Sequence, residues 1–188
     1  MTGKSIVCIR HGESTFNAAW KKEAVDPLLF DAPLSESGVE QVRLARTTLA
    51  GRRFELVITS PLTRALQTTA GLFDSHPSQP RVVVSALVRE SVENSCDIGR
   101  SPSLLAADFP PLEFAHLDDP WWHVDGAPDA RGICVEPVEV IQARVAEFRA
   151  YVVSRPEKLI AVVAHGTFLF HLTGKVLANC EIAEARID

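Results

Sequence analysis

The sequence lacks several features that mark whole classes of protein. It has four cysteines, and no two of them are spaced like zinc ligands or a CxxC redox pair: Cys8, Cys96, Cys134 and Cys180. Its formal net charge is −5, which gives no basic footprint for nucleic acid. The longest apolar run, residues 159–164, is far too short to cross a bilayer, and the N-terminus has no signal-peptide pattern. We therefore expect a cytoplasmic protein with no nucleic-acid and no membrane partner.

What is present is the composition of an ordinary globular protein. The 188 residues are 46% apolar and 23% charged, and a chain of this length buries roughly two-thirds of its unfolded surface. The sequence contains no internal repeat and no low-complexity tract. We interpret residues 1–188 as one domain that carries an insertion or lid at about 91–136.

Strand-like and helix-like segments alternate along the chain, which favours an α/β fold. Continuous apolar runs predict buried strands at 5–9, 55–59, 81–84 and 159–164. Apolar spacing and capping residues predict helices from Ser35 to Gly51, from Pro61 to about Leu72, from Val138 to Val152 and from Gly166 to about Leu177. This order predicts a three-layer α/β/α sandwich around a mainly parallel central sheet.

The periodic pattern breaks down between Glu90 and Pro137, where prolines are frequent. Two tryptophans, Trp121 and Trp122, fall inside this loop-rich insertion. Long irregular segments in compact domains often form lids or binding loops. The alternative is a surface loop whose tryptophans seal a small core of its own.

Two of the predicted strands end in the same dipeptide, His-Gly. His11 follows the first strand and His165 follows the fourth, and Gly12 would let the backbone turn sharply beside a ligand. Parallel strands deliver their carboxyl ends to one edge of a sheet, where ligands of α/β proteins bind. The second strand leads to Arg64 at the amino end of a helix, which favours anions. With Arg10, whose guanidinium can hold two phosphate oxygens, these side chains predict a phosphate-binding pocket.

These residues carry a family resemblance. RHGEST at 10–15 followed by Asn17, SPLTRALQT at 60–68, Arg89-Glu90 and AHG at 164–166 resemble, in this order, the motifs of the histidine phosphatase superfamily. The chain is similar to the phosphoglycerate mutase-like branch over nearly its whole length outside the insertion. RHG alone would be a weak match, whereas the ordered set is specific.

The resemblance implies a reaction through a phosphohistidine. His11 would be the nucleophile, and its other ring nitrogen should donate to a carbonyl so that the attacking nitrogen is unprotonated. Arg10, Arg64 and His165 would bind the phosphate and neutralise its oxygens, with Asn17 as a further donor. Because these groups supply the neutralising charge, we expect no cofactor and no metal.

The resemblance also implies a general acid. Glu90 occupies the position of the family's acid, which would protonate the leaving alkoxide and then activate water. Burial would raise the pKa of this carboxyl, whereas the nearby arginines would lower it. Glu93 remains the alternative acid.

A substrate wall is predicted in and beside the insertion. Arg89 and Arg100 are candidate substrate contacts, Arg100 for a second phosphate or carboxylate, and each is equally compatible with a solvated surface charge. Trp121 is a further candidate, in a segment that also offers Cys96, Asp97 and Trp122.

Three functions are compatible with the resemblance. Glycolytic mutases carry a glycine-tryptophan pair and substrate-carboxylate contacts after the nucleophile loop, whereas this chain shares only a Leu-Ser-x-x-Gly element at 34–38. The difference favours a phosphatase acting on a small phosphorylated substrate. Mutase-type phosphoryl transfer is the first alternative, and a catalytically weak module that binds a phospho-ligand or a protein is the second. The sequence does not indicate an oligomeric state.

Overall fold

The computed structural model describes residues 3–188 and is built on a five-stranded sheet. The strands are β1 (Lys4–Arg10), β2 (Leu56–Thr59), β3 (Arg81–Val84), β4 (Ile160–Ala164) and β5 (Ile182–Ile187). They lie in the order β3-β2-β4-β1-β5. Strands β1 to β4 are parallel, and β5 is antiparallel to β1. The expected mainly parallel sheet is confirmed, with an antiparallel edge strand that was not predicted.

Helices connect these strands. They are α1 (Thr15–Glu23), α2 (Glu36–Leu49), α3 (Thr63–Phe73), α4 (Pro102–Asp108), α5 (Val138–Ser154) and α6 (Gly166–Thr173). As predicted, Ser35 caps α2, since its side chain accepts from the N–H of Gly38. Helix α6 ends earlier than predicted because Gly174 adopts a left-handed conformation with φ of 73°. Within residues 3–188, no helix is long and apolar enough to span a membrane.

The helices cover both faces of the sheet. On one face, Phe148 of α5 and Phe168 of α6 pack in the same cluster as Cys8 of β1. On the other face, Val42 of α2 packs in a cluster with Val7, the neighbour of Cys8 in β1. Adjacent strand residues point to opposite faces, so a strand buried on both sides reads as a continuous apolar run. The predicted three-layer α/β/α sandwich is confirmed.

Between β3 and α5 the described chain contains one α-helix, α4, two short 3₁₀ helices at Ala86–Val88 and Ser95–Asp97, and otherwise turns and irregular backbone. Phe114 and Trp121 of this insertion pack against Leu62 and Leu66 beside and within α3. The indole Nε1 of Trp121 donates to the carbonyl oxygen of Arg100 at 2.9 Å. Trp121 therefore packs within a small apolar cluster. This agrees with the alternative of a surface loop that has a small core of its own.

Candidate active site

The carboxyl ends of β1, β2 and β4 meet at one edge of the sheet and bring the predicted site residues together. His11 and His165 follow paired strands, and their ring centroids are 5.0 Å apart. Arg64, in the first turn of α3, donates from Nε to Nε2 of His11 at 3.3 Å. All three side chains are almost completely buried. The two His-Gly dipeptides therefore lie side by side, as the parallel topology predicts.

The ring of His11 is held in one orientation by its own loop. Its Nδ1 lies 2.7 Å from the carbonyl oxygen of Gly12, so Nδ1 carries the proton and donates it. Nε2 is then free to accept from Arg64. Burial and then the charge of Arg64 hold the pKa of His11 well below its ordinary value. Nε2 is therefore an unprotonated lone pair, which is the form of imidazole that can attack phosphorus.

Close packing against α2 supports the loop that carries His11. A Cβ on Gly12 would lie 2.8 Å from the carbonyl oxygen of Gly38, and a Cβ on Gly38 would lie 2.0 Å from that of Glu13. Neither glycine has a positive φ. Gly12 is therefore required for the contact with α2, and not for the sharp turn that we expected. The Glu13 carboxylate accepts from Ser35 at 2.9 Å and so braces the same loop.

The chain beyond α6 returns to the loop that carries His11. The amide nitrogen of Cys180 lies 3.2 Å from the carbonyl oxygen of His11 and 3.1 Å from that of Arg10. The side-chain amide of Asn179 also donates to the His11 carbonyl, at 3.1 Å. Strand β5 follows directly and pairs with β1. The main chain of the loop that carries His11 is therefore fixed by residues that were not predicted to be near it.

Arg10, His11 and Asn17 line a cavity of about 300 Å³, whereas His165 lies beside His11 and outside this lining. Nη1 of Arg10 donates to the carbonyl oxygen of Leu177 at 2.7 Å. Gly166 packs against the same guanidinium, where a Cβ would lie 3.3 Å from Cζ of Arg10. Oδ1 of Asn17 accepts from the N–H of Ser14 at 3.2 Å, so its NH₂ group is the part available to a ligand.

His165 is fully buried, and neither of its ring nitrogens has a hydrogen-bond partner among residues 3–188. Burial, and then the charges of Arg64 and His11, hold the pKa of His165 well below its ordinary value. A buried polar group without a partner is costly. This imidazole can therefore serve as a hydrogen-bond donor to the oxygen of a bound anion. We call Arg10, His11, Arg64 and His165 the phosphate cup.

Glu90 is held at the amino end of α6. Its Oε2 accepts from the N–H of Thr167, and its Oε1 accepts from those of Phe168 and Ser91, each at 3.0 Å. Burial and then the charge of Asp97 raise the pKa of Glu90. The carboxyl lines the cavity beside the phosphate cup. It is therefore an oriented group whose pKa is raised by burial and lowered by the amides that donate to it.

Residues 93–97, which we call the insertion turn, close the other side of the cavity. Oδ2 of Asp97 accepts from the amides of Glu93 and Asn94 at 3.2 and 3.0 Å. Burial raises the pKa of Asp97, against the attraction of Arg64. Glu93 also lines the cavity, and burial and then Glu90 raise its pKa. Both candidate acids thus reach the cavity, but Glu90 is the one that backbone amides orient.

Three predicted substrate contacts lie outside this cavity lining. Arg89 pairs with the buried Glu136 at 3.0 Å. Arg100 pairs with Asp31 at 2.8 Å, and the ring of Trp121 packs in the apolar cluster of the insertion. Each of the three residues is engaged in holding the insertion to the α/β core, and their contact with substrate stays a prediction. Trp122 packs on the same cluster, whereas Cys96 and Asp97 do line the cavity.

Several lining residues were not predicted. Helix α1 contributes Phe16 and Trp20, and the remaining ones are Ser91, Asn94 and Thr167. The signal for α1 is Ser14, whose side chain accepts from the N–H of Asn17 and caps the helix. Two aromatic residues four positions apart follow that cap and face the same side.

In residues 3–188, no group of three or more His, Cys, Asp or Glu side chains is arranged to hold a metal ion.

Comparison with known proteins agrees with these motifs. The sequence profile of the histidine phosphatase superfamily (branch 1) matches residues 6–186. A phosphoglycerate mutase-like protein 1 of Arabidopsis thaliana is 28% identical over 94% of this chain and 73% of its own. A glucosyl-3-phosphoglycerate phosphatase of Mycolicibacterium vanbaalenii is 27% identical over 94% and 76%. The crystal structure of the alpha-ribazole phosphatase from Shigella flexneri has a TM-score of 0.65 at 20% identity, covering 96% of this chain and 89% of that one. The chain therefore belongs to branch 1 of the histidine phosphatase superfamily.

Proposed function

We propose that the protein is a phosphatase that hydrolyses a phosphomonoester through a covalent phosphohistidine at His11. The observation that carries this proposal is the pair of hydrogen bonds made by the His11 ring. Nδ1 donates to Gly12 at 2.7 Å, and Nε2 accepts from Arg64 at 3.3 Å. A neutral imidazole in a fixed orientation is an activated nucleophile. A relative that is named a phosphatase supports the same class of reaction.

In the first step, Nε2 of His11 forms a bond to phosphorus as the bond from phosphorus to the leaving oxygen breaks. We assign the phosphoryl oxygens to Arg10, Arg64 and His165, which compensate their charge. Arg64 releases Nε2 as the phosphoryl group arrives, and its donors turn to those oxygens. Because the cup itself supplies this charge, we propose that the reaction needs no metal ion.

Glu90 is proposed as the acid and base of the two steps. Burial raises its pKa, and in the first step the protonated carboxyl gives its proton to the leaving alkoxide. Water then attacks the phosphohistidine and passes a proton to the Glu90 carboxylate. The bond between phosphorus and Nε2 breaks, its electron pair returns to the ring nitrogen, and inorganic phosphate leaves.

The test is to trap the intermediate. The protein is mixed with p-nitrophenyl phosphate and quenched into alkali, where phosphohistidine survives, and its peptides are analysed by mass spectrometry. We expect one phosphoryl group on the peptide that contains His11, and none in the His11→Ala variant. His171→Ala is the matched control, because His171 lies outside the cavity lining. Turnover without a phosphorylated histidine would overturn the proposal.

The same preparation separates the alternatives. Release of inorganic phosphate identifies a phosphatase. Interconversion of 3- and 2-phosphoglycerate without such release identifies a mutase. A protein that turns over no phosphomonoester in a broad panel, yet binds phosphate, is a binding module.

A further inference from the structure

Beyond the phosphate cup, the cavity is lined by acids. Its lining contains two guanidinium groups, Arg10 and Arg64, and both belong to the cup. It also contains three carboxyl groups, those of Glu90, Glu93 and Asp97. Among residues 3–188, no other Lys or Arg lines this cavity. A phosphate bound in the cup therefore engages both cationic side chains of the lining and leaves none for a second anion.

Cations that lie near this lining are already paired. Arg131 donates to the main chain of the insertion turn, and it forms ion pairs with Asp26 at 2.8 Å and Asp129 at 2.7 Å. Lys21, on the same helix as two lining residues, pairs with Glu13. Within the described part of the chain, a carboxylate or second phosphate on the substrate would therefore face carboxyl groups, and these two nearby cations are already paired.

The outer part of the lining is aromatic. Phe16 and Trp20 of α1 both line the cavity, and their rings stack with centroids 5.8 Å apart at an angle of 17°. Phe16 is 4% exposed, whereas Trp20 is 41% exposed. An indole supported from behind by a buried ring, and open to a cavity, offers a flat apolar face to a ligand.

From this distribution we infer the substrate class: a phosphomonoester whose alcohol carries an aromatic or other flat apolar group and no second anionic group. The inference rests on the proposed phosphatase function, because the cup decides where the phosphate lies. With the phosphate in the cup, the alcohol extends past Glu90 towards Trp20. A phosphoglycerate would instead bring its carboxylate towards Glu93 and Asp97.

Two matched pairs of substrates test the inference. The first is 2-phenylethyl phosphate against ethyl phosphate, which differ in the ring. The second is glycerol phosphate against 3-phosphoglycerate, which differ in the carboxylate. We expect kcat/KM to be higher for the first member of each pair, by about tenfold or more. Equal values within either pair would overturn the inference.

Variants assign these preferences to named residues. Trp20→Ala should reduce the preference for 2-phenylethyl over ethyl phosphate. Phe170→Ala is the matched control, because Phe170 is 46% exposed and lies outside the cavity lining; it should leave that ratio unchanged. Glu93→Lys should raise the relative rate for 3-phosphoglycerate. Ratios are used because they cancel any general loss of folded protein.

A binding measurement separates this inference from the proposed function. Calorimetry with 2-phenylethylphosphonate and 2-carboxyethylphosphonate compares a ring with a carboxylate on a group that cannot be hydrolysed. Tighter binding of the phenylethyl compound supports the inference even if turnover is absent. Hydrolysis of phosphomonoesters combined with equal or reversed binding leaves the phosphatase function standing and overturns the substrate class alone.

Discussion

Arg64 and Asp97 form an ion pair with 2.9 Å between Nη2 and Oδ1, and both side chains are almost fully buried. The same guanidinium donates to Nε2 of His11. One arginine therefore connects the acidic insertion turn with His11. The charge of Asp97 acts on two groups at once, since it offsets Arg64 and raises the pKa of Glu90.

The first prediction concerns Asp97→Asn, which removes that charge and keeps the shape. Arg64 should then bind an oxyanion more strongly, so the inhibition constant of inorganic phosphate should fall, by about tenfold at most. The pKa of Glu90 should fall as well, because one of the two causes that raise it is removed. Since Glu90 acts as an acid only when protonated, the high-pH limb of the kcat profile should move to lower pH. If the high-pH limb of the kcat profile does not move, the assignment of Glu90 as the acid is wrong.

The second prediction separates the two candidate acids. Glu90→Gln should lower kcat by about 10²- to 10³-fold for alkyl phosphates, whose leaving oxygen needs a proton. For p-nitrophenyl phosphate, which has a good leaving group, the loss should be below about tenfold. Glu93→Gln should affect both substrates alike and weakly. If Glu93→Gln, and not Glu90→Gln, shows the larger loss of kcat for alkyl phosphates, Glu93 is the acid.

The third prediction concerns the buried cluster behind Glu90. Glu136 pairs with Arg89 at 3.0 Å and Arg144 at 3.2 Å, and all three side chains are at most 9% exposed. Glu136→Gln would leave two buried guanidinium groups without a counterion. We expect a loss of about 3–5 kcal/mol in the free energy of unfolding, measured by urea denaturation.

Arg144 also donates to the carbonyl oxygen of Arg89 at 2.6 Å, so the same cluster supports the main chain beside Glu90. The matched control is Glu40→Gln, which removes an exposed pair with Arg43 on α2. It should cause no measurable change. Equal unfolding midpoints for the Glu136 variant and the control would show that the buried cluster does not stabilise the fold.

The fourth prediction tests the contact between α2 and the nucleophile loop. In Gly38→Ala, the new Cβ would lie 2.0 Å from the carbonyl oxygen of Glu13, so the loop must shift. We expect a loss of about 1–3 kcal/mol in stability together with a lower kcat. Gly51→Ala is the control, because nothing lies within 4 Å of its Cβ position. If kcat of the Gly38→Ala variant is not reduced, the contact between α2 and this loop does not support the site.

The four parallel strands could be predicted because helices cover both faces of the sheet. In β1, Val7 and Cys8 are both fully buried on opposite faces, so the strand reads as a continuous apolar run. Strand β5 lies at the edge of the sheet, where Glu184 and Arg186 interrupt its apolar residues. Its pairing with β1 joins distant parts of the chain, and no local pattern marks it.

The phosphate cup could be predicted for the same topological reason, since motifs at the ends of parallel strands must meet. The outer wall could not, because it depends on pairings across the chain. Arg100 is an example: in sequence it is a free cation beside a candidate wall, and in the structure it is tied to Asp31, 69 positions away. The insertion turn likewise depends on the amides that Asp97 accepts, which composition does not reveal.

The bonds from Asn179 and Cys180 to the carbonyl of His11 have a consequence for biosynthesis. The RHG motif at 10–12 is translated well before Asn179 and Cys180, so the segment that holds this loop emerges only after α6 has been translated. A ribosome-bound chain that stops short of β5 should therefore be inert towards phosphate esters.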